Sequence, residues 1–290
     1  MDALAPLLAS SIIAGTPLML AALGLLINEK SGVINLGSEG MMLVAAITGF
    51  AFAINTGSVT VGFIAGAAAG MVMAAFFAWL TVWLGANQVA TGLALSLFGV
   101  GASAYIGIDY VGATLTNPRF GIPFFQDIPF LGQALFRQHP MVYLSLLLCG
   151  AIVWFLNRSR AGLILRAVGE SPSSAHSLGY NVRRIRLAAL LFGGACCGLA
   201  GAFMSLVYTP MWVEGMVAGR GWIALALTTF ATWRPVRVLL GAYLFGGITI
   251  LTYHMQALGV PVASQLLSML PYLATILVLV LFLETLTGSG

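Results

Sequence analysis

Charge is scarce in this 290-residue sequence: 7% of it is Asp, Glu, Lys or Arg, while 60% is hydrophobic. Soluble proteins carry roughly 25% charged residues, so water is not the main solvent of this chain. Its single lysine, Lys30, follows Glu29, and the Gly-x-x-x-x-Gly-Lys-Ser/Thr loop that cradles nucleotide phosphates is missing. Three histidines, His139, His176 and His254, stand outside any metal-ligand spacing with Cys, Asp or Glu, and no serine falls in a recognisable arrangement with His and an acid. No catalytic site, metal or cofactor is therefore expected in this chain. If ATP drives it, ATP and Mg must sit on a separate ATPase chain. Cys149, Cys196 and Cys197 all lie inside apolar runs and read as small packing residues. A cleavable leader is not apparent either, since residues 1 to 6 carry Asp2 where a basic segment would stand.

What is present is a series of apolar runs of about 20 residues, each long enough to cross a hydrocarbon core of roughly 30 Å. Reading them against polar and Gly/Pro breaks gives spans near 7–27, 36–55, 59–83, 88–106, 140–157, 187–208, 238–254 and 263–283. A ninth stretch, 222–233, would cover only about 18 Å as a helix, so it is half of a broken helix or a re-entrant element. The fold class is an all-α polytopic membrane protein of about 8–10 helices, forming one transmembrane domain over 1–290.

Arginines orient it. The stretch 158–186 holds Arg158, Arg160, Arg166, Arg183, Arg184 and Arg186 against one acid, Glu170, and the excess of positive charge places it in the cytoplasm. The basic charge thus reads as topology in a lipid bilayer and not as nucleic-acid binding. Arg234 and Arg237 belong on the same side. The stretch 107–139 balances Arg119 and Arg137 with Asp109 and Asp127 and is free to lie outside. Nine crossings then put the N-terminus outside and the C-terminus in the cytoplasm of a bacterial inner-membrane protein.

The chain also repeats its own pattern at an offset of about 180 residues. A helix, the glycine-broken stretch 32–40 (GVINLGSEG) and further helices are echoed by helix 187–208, the stretch 215–221 (GMVAGRG) and further helices. Five spans separate the two starts, so the halves, about 7–106 and 187–284, are inverted. Inverted repeats with interrupted helices at matching places are a feature of transporters, and the interruptions point to the translocation path.

Within the cytoplasmic loop 158–186, Ser171 suits a helix N-cap, Pro172 the first helical position and Gly179 the left-handed position after the last turn. A short helix over about 172–178 follows, flanked by basic clusters. It is either a docking knob for a cytoplasmic partner or a structured loop whose arginines meet lipid phosphates.

The stretch 160–179 (RAGLILRAVGESPSSAHSLG) closely resembles the coupling loop of permease subunits of bacterial ATP-binding cassette (ABC) importers of the sugar, nucleoside and branched-chain amino acid group. Residues 28–42 (NEKSGVINLGSEGMM), 85–92 (GANQVATG) and 218–227 (AGRGWIALAL) resemble the nucleoside and simple-sugar branch. The similarity extends over about residues 10–280. It implies alternating-access import of nucleosides, purine-like solutes or simple sugars. It also implies a second related permease in a heterodimer, two cytoplasmic ATPases and an extracytoplasmic substrate-binding protein. In that family the loop carries a coupling helix seated in a groove of the ATPase, which maps here to Gly169, Glu170, Pro172, Ala175 and Gly179.

Polar residues at the breaks are candidates for the path: Asn35, Ser38 and Glu39 at the first, Arg220 and Trp222 at the second, Asn87 and Gln88 between two spans. A charge at membrane depth costs about 2.5–3.5 kcal/mol on insertion scales and needs a partner or water. Glu39 and Arg220 therefore either line the path or cap broken helices. Trp222 either stacks on a substrate ring or marks a membrane interface. Two other functions fit a polytopic protein. An ion-coupled secondary carrier would need more buried acids than eight acids, most of them in loops, supply. A purely structural subunit would need neither broken helices nor the 160–179 loop.

Overall fold

The computed structural model describes residues 4–116 and 135–258, together with Met269 and Leu273. Its helices are α1 (Leu4–Lys30), α2 (Ser38–Thr56), α3 (Val59–Ala78), α4 (Gln88–Gly107), α5 (Pro140–Arg158), α6 (Arg160–Glu170), α7 (Pro172–Ser177), α8 (Val182–Phe203), α9 (Arg220–Phe230) and α10 (Pro235–Ala257). Short π-helical turns, Trp79–Trp83 and Met204–Tyr208, extend α3 and α8. Helices dominate because hydrocarbon offers no hydrogen-bond partner to a bare backbone. Seven of these helical segments are long and apolar enough to cross a membrane. They coincide with the first seven spans read from the sequence, and the chain is an all-α polytopic membrane protein. The span expected at 263–283, most of the stretch 117–139 and the C-terminus lie outside the described residues.

Two of the boundaries that differ from expectation do so for clear local reasons. α8 starts at Val182 instead of 187, because Asn181 Oδ1 accepts the Arg184 N–H at 3.1 Å and nucleates the helix among the arginines. α10 starts at Pro235 instead of 238, since proline is well suited to a first turn that lacks N–H acceptors.

α1 is apolar on every face, and Leu18–Leu26 except Gly24 are buried side chains of the main core, as a helix apolar all round should be. It runs antiparallel to α8, with Gly24 against Cys196 and the Ser31 carbonyl against Arg186 Nε at 3.2 Å. The flanking helices then exchange partners: α3 packs on α8, and α10 on α1. Small residues allow both approaches. A Cβ on Gly70 would lie 2.8 Å from the Gly198 Cα, and one on Gly246 would lie 2.6 Å from the Gly15 N. The cysteines are buried, Cys196 and Cys197 within the α1–α3–α8 packing.

The two ends of the bundle are marked by contacts between distant segments. At one end Leu115 N–H bonds the Pro210 carbonyl at 3.0 Å, and Asn55 Nδ2 bonds the Tyr110 hydroxyl at 3.1 Å. At the other, Lys30, Arg166, Gly169, Glu170 and Trp233 surround one small cleft. The basic segments 158–186 and 234–237 therefore share an end, opposite to 107–116 and 208–213.

Candidate functional site

Two helices begin inside the bundle, and they begin against each other. α1 ends at Lys30, the chain runs through 31–37 without helix, and α2 starts at Ser38. The second break lies between Tyr208 and Arg220, where α9 starts. Glu39 Oε1 accepts the Gly219 N–H and Oε2 accepts the Gly221 N–H, each at 2.7 Å, and Ser38 Oγ donates to the Gly221 carbonyl at 3.0 Å. The first amides of a helix have no intrahelical acceptor, and a carboxylate there also meets the positive end of the helix dipole. Glu39 is 5% exposed, so both oxygens are engaged away from solvent. A Cβ on Gly221 would lie 2.5 Å from the Glu39 backbone N, which explains a glycine at that position.

The inner end of α9 is tied as well. Glu29 Oε1 accepts from Thr228 Oγ1 at 2.6 Å, and Oε2 accepts from Trp233 Nε1. The Lys30 ammonium lies 5.7 Å from the Trp233 ring centroid, a cation–π contact. An 11-residue helix spans about 16 Å, so the Glu39 junction lies roughly halfway across a 30 Å core from the Lys30 end. Substrate sites of transporters with broken helices occupy that depth.

The other sequence candidates lie on the two breaks and at the start of α4, about three turns before Gly99, which meets Gly40. Asn35 Oδ1 accepts the Gly37 N–H at 3.0 Å and stiffens the first break. Gln88 Oε1 accepts the Ile34 N–H at 2.9 Å, and Asn87 Oδ1 caps α4 through the Val89 and Ala90 N–H groups. Arg220 turns back on its own loop, with Nη1 3.3 Å from the Met216 and Val217 carbonyls and the guanidinium 5.3 Å from the Tyr208 ring centroid. Trp222 is 48% exposed beside the junction. Glu39, Asn35, Asn87 and Gln88 thus all hold backbone, whereas Trp222, among the described residues, leaves nearly half of its surface uncovered.

The loop 158–186 contains the expected short helix, α7, with Ser171 accepting the Ser174 N–H at 3.4 Å and Gly179 at φ +88°. α6, before it, is a helix that the sequence reading did not resolve. Ser159 Oγ accepts the Gly162 N–H at 2.9 Å as its cap, a signal present in the sequence, but Gly162 and Gly169 mask the helix by lowering propensity. Both glycines are contact points: a Cβ on Gly162 would meet the Phe155 carbonyl, and one on Gly169 the Lys30 carbonyl. Glu170 is exposed, and Pro172 half-buried. Ala175 is 2% exposed and faces its own chain; the exposed residues around it are Ser173, Ser174, His176, Ser177 and Leu178, the last 75% exposed.

Glu29, Thr228 and Trp233 were not singled out by sequence. Their contacts join positions 199 and 204 apart, and no local pattern announces them.

The family model described as the permease component of branched-chain amino acid transport systems matches residues 7–285. A putative glucose ABC transporter permease protein of Haloferax volcanii is 42% identical over 95% of this chain and 91% of its own length. A nucleoside ABC transporter permease protein of Lactococcus lactis is 32% identical, covering 96% and 92%. A guanosine ABC transporter permease protein of Bacillus subtilis is 29% identical, covering 94% and 91%. Haloferax volcanii and Bacillus subtilis each hold a second, more distant relative named for the same solute. Membership of such a family implies an ATPase and a substrate-binding partner. The chain belongs to this permease-component family and is a transmembrane permease subunit of an ABC importer, a transport subunit and not an enzyme.

Proposed function

We propose that this permease moves a nucleoside, a purine-like solute or a simple sugar inward by alternating access. The observation that carries the reading is the mid-depth junction of α2 and α9 with Trp222 exposed beside it. An indole face suits either a base or the apolar face of a sugar ring. The names of the relatives, glucose on one side and nucleosides on the other, support a solute containing a sugar ring.

A second, related permease completes the path in a heterodimer, a proposal supported by the paired permeases of two organisms. The extracytoplasmic binding protein delivers solute at the end formed by 107–116 and 208–213. The loop 158–186, with Gly169, Glu170, Pro172 and Gly179 shaping α6 and α7, seats on the partner ATPase, which holds ATP and Mg. The complex sits in the cytoplasmic membrane with this loop and the C-terminus inside. Solute affinity at the junction is weak, because a carrier that receives and releases cannot hold one state tightly.

Uptake of labelled guanosine, adenosine, glucose and ribose into cells lacking and regaining the gene tests the substrate class. Trp222→Ala should raise the KM for the imported solute and Trp222→Phe should restore it. An unchanged KM in Trp222→Ala would remove this residue from the path.

A further inference from the structure

Among the described residues, the non-glycine residues with positive φ are Ala218 (51°), Thr232 (49°) and Trp233 (53°). All three flank α9. Left-handed backbone at such residues is unfavourable and persists only where the surroundings enforce it; it gathers in elements that switch. Here the enforcing groups are identifiable. Glu39 takes the two amides at the start of α9, Glu29 takes Thr228 and Trp233 at its end, and Arg237 Nη1 donates to Thr232 Oγ1 at 2.6 Å. The two glutamates stand either side of the 31–37 connection, so one strap of chain grips both ends of one short helix.

The same strap touches the cytoplasmic loop. Gly169 at the end of α6 lies on the Lys30 carbonyl and beside the Gly32 backbone, and Arg186 Nε donates to the Ser31 carbonyl. Any displacement of α6 therefore meets Lys30–Gly32 first, one residue from Glu29. From there two routes lead to the mid-depth junction: the non-helical 31–37 connection, which can absorb movement, or α9, whose backbone is internally bonded and stiff.

We propose that Glu29 and Trp233 are positioning residues for transport, latching the inner end of α9 so that movement of the cytoplasmic loop reaches the junction as a rigid shift of α9. This rests on the reading of 158–186 as the ATPase contact. α9 is the bistable element, its strained flanks letting it rock between two seats, and the latch makes it follow the loop.

The test uses the complete complex with its partner permease and ATPase in proteoliposomes. Spin labels go on Thr229→Cys in α9 and Leu147→Cys in α5, two exposed positions in a chain whose native cysteines are buried. The distance between them should change between the nucleotide-free and ATP-bound complex. Trp233→Phe, which removes only the indole donor, should leave the ATPase bound and hydrolysing but abolish that change. ATP hydrolysed per labelled solute, guanosine or glucose as the wild type dictates, should rise about tenfold, the effect of losing one hydrogen bond to a charged group. Thr228→Val should act in the same direction and Thr228→Ser should not. A distance change that survives Trp233→Phe, or one absent from the wild type, overturns the proposal. So does a variant with fewer complexes but unaltered ATP per solute, which would mark a structural bond only. Loss of the ATPase on altering Leu178 tests the docking reading separately, so the two can fail independently.

Discussion

Glu39 and Gly219 stand 180 positions apart and are joined by a 2.7 Å hydrogen bond from the Gly219 N–H to Oε1. The bond joins the starts of α2 and α9, the two helices that begin at the glycine-broken stretches 32–40 and 215–221. Two helix starts, each short of acceptors for its first amides, are placed face to face at mid-depth. A single buried carboxylate then serves the partner helix instead of its own. The site most exposed to a polarity problem in the membrane is thereby the site where the two broken stretches interlock.

Glu39→Ala removes the acceptor of two amides that no water replaces at low cost. Hydrogen bonds to a charged group contribute about 1.5–3 kcal/mol each, so the loss is on the order of 3 kcal/mol. Less folded complex should be recovered from membranes, with a lower melting temperature in detergent, whereas Glu39→Gln keeps one acceptor oxygen and should recover part of the loss. Normal melting of Glu39→Ala with impaired uptake would assign the residue to the path and not to the cap.

Leu178, and not Ala175, is predicted to be the docking knob of the loop 158–186. Leu178 is 75% exposed just past α7, and Leu178→Glu should leave insertion and melting near wild type while abolishing co-purification of the ATPase and solute-stimulated hydrolysis together. Ala175→Trp should behave differently, since overpacking a buried site costs about 1–3 kcal/mol: the loop itself loosens, which limited proteolysis between 171 and 181 would reveal. Intact ATPase binding by Leu178→Glu would move the docking surface elsewhere on the loop.

The spans were legible because each apolar run matches a membrane thickness, and the breaks because glycines and polar residues interrupt those runs where helices would otherwise continue. Ser171, Pro172 and Gly179 announced α7 through backbone preferences that act locally. Which side of α7 faces inward was not legible, since six residues contain too few turns for a periodic stripe. α6 was hidden by Gly162 and Gly169, whose small size serves packing against Phe155 and Lys30 instead of helix propensity. The Glu29–Trp233 contact bridges 204 positions and depends on the bundle having formed. Glu39 was visible as a buried charge with two readings, and only the approach of α9 shows which amides it satisfies.

Orientation has a direct test. Ser173 is exposed on α7, and the native cysteines are buried, so Ser173→Cys offers one reactive thiol. An impermeant maleimide should label it in inside-out vesicles and not in intact cells. Labelling of intact cells would reverse the assignment of the basic loop to the cytoplasm, and with it the ATPase contact.

At the opposite end, His139 should make the protein sensitive to acid. Its Nδ1 accepts the Met141 N–H at 3.2 Å as the cap of α5, and its ring lies 5.7 Å from Phe63 and 6.2 Å from Phe203 between centroids. Burial disfavours the imidazolium and brings its pKa from the usual 6.5 down to about 4. The unfolded chain therefore binds the proton first, so this contribution to stability is complete above pH 6.5 and is lost progressively as the pH falls toward 4. Protonation also ends the cap, because Nδ1–H cannot accept the Met141 amide. Melting temperature in detergent should fall between pH 6.5 and 4 in the wild type. His139→Asn, which supplies a side-chain acceptor that does not titrate, should flatten that part of the curve while keeping α5 capped. An equally steep fall in His139→Asn would place the acid-sensitive group elsewhere.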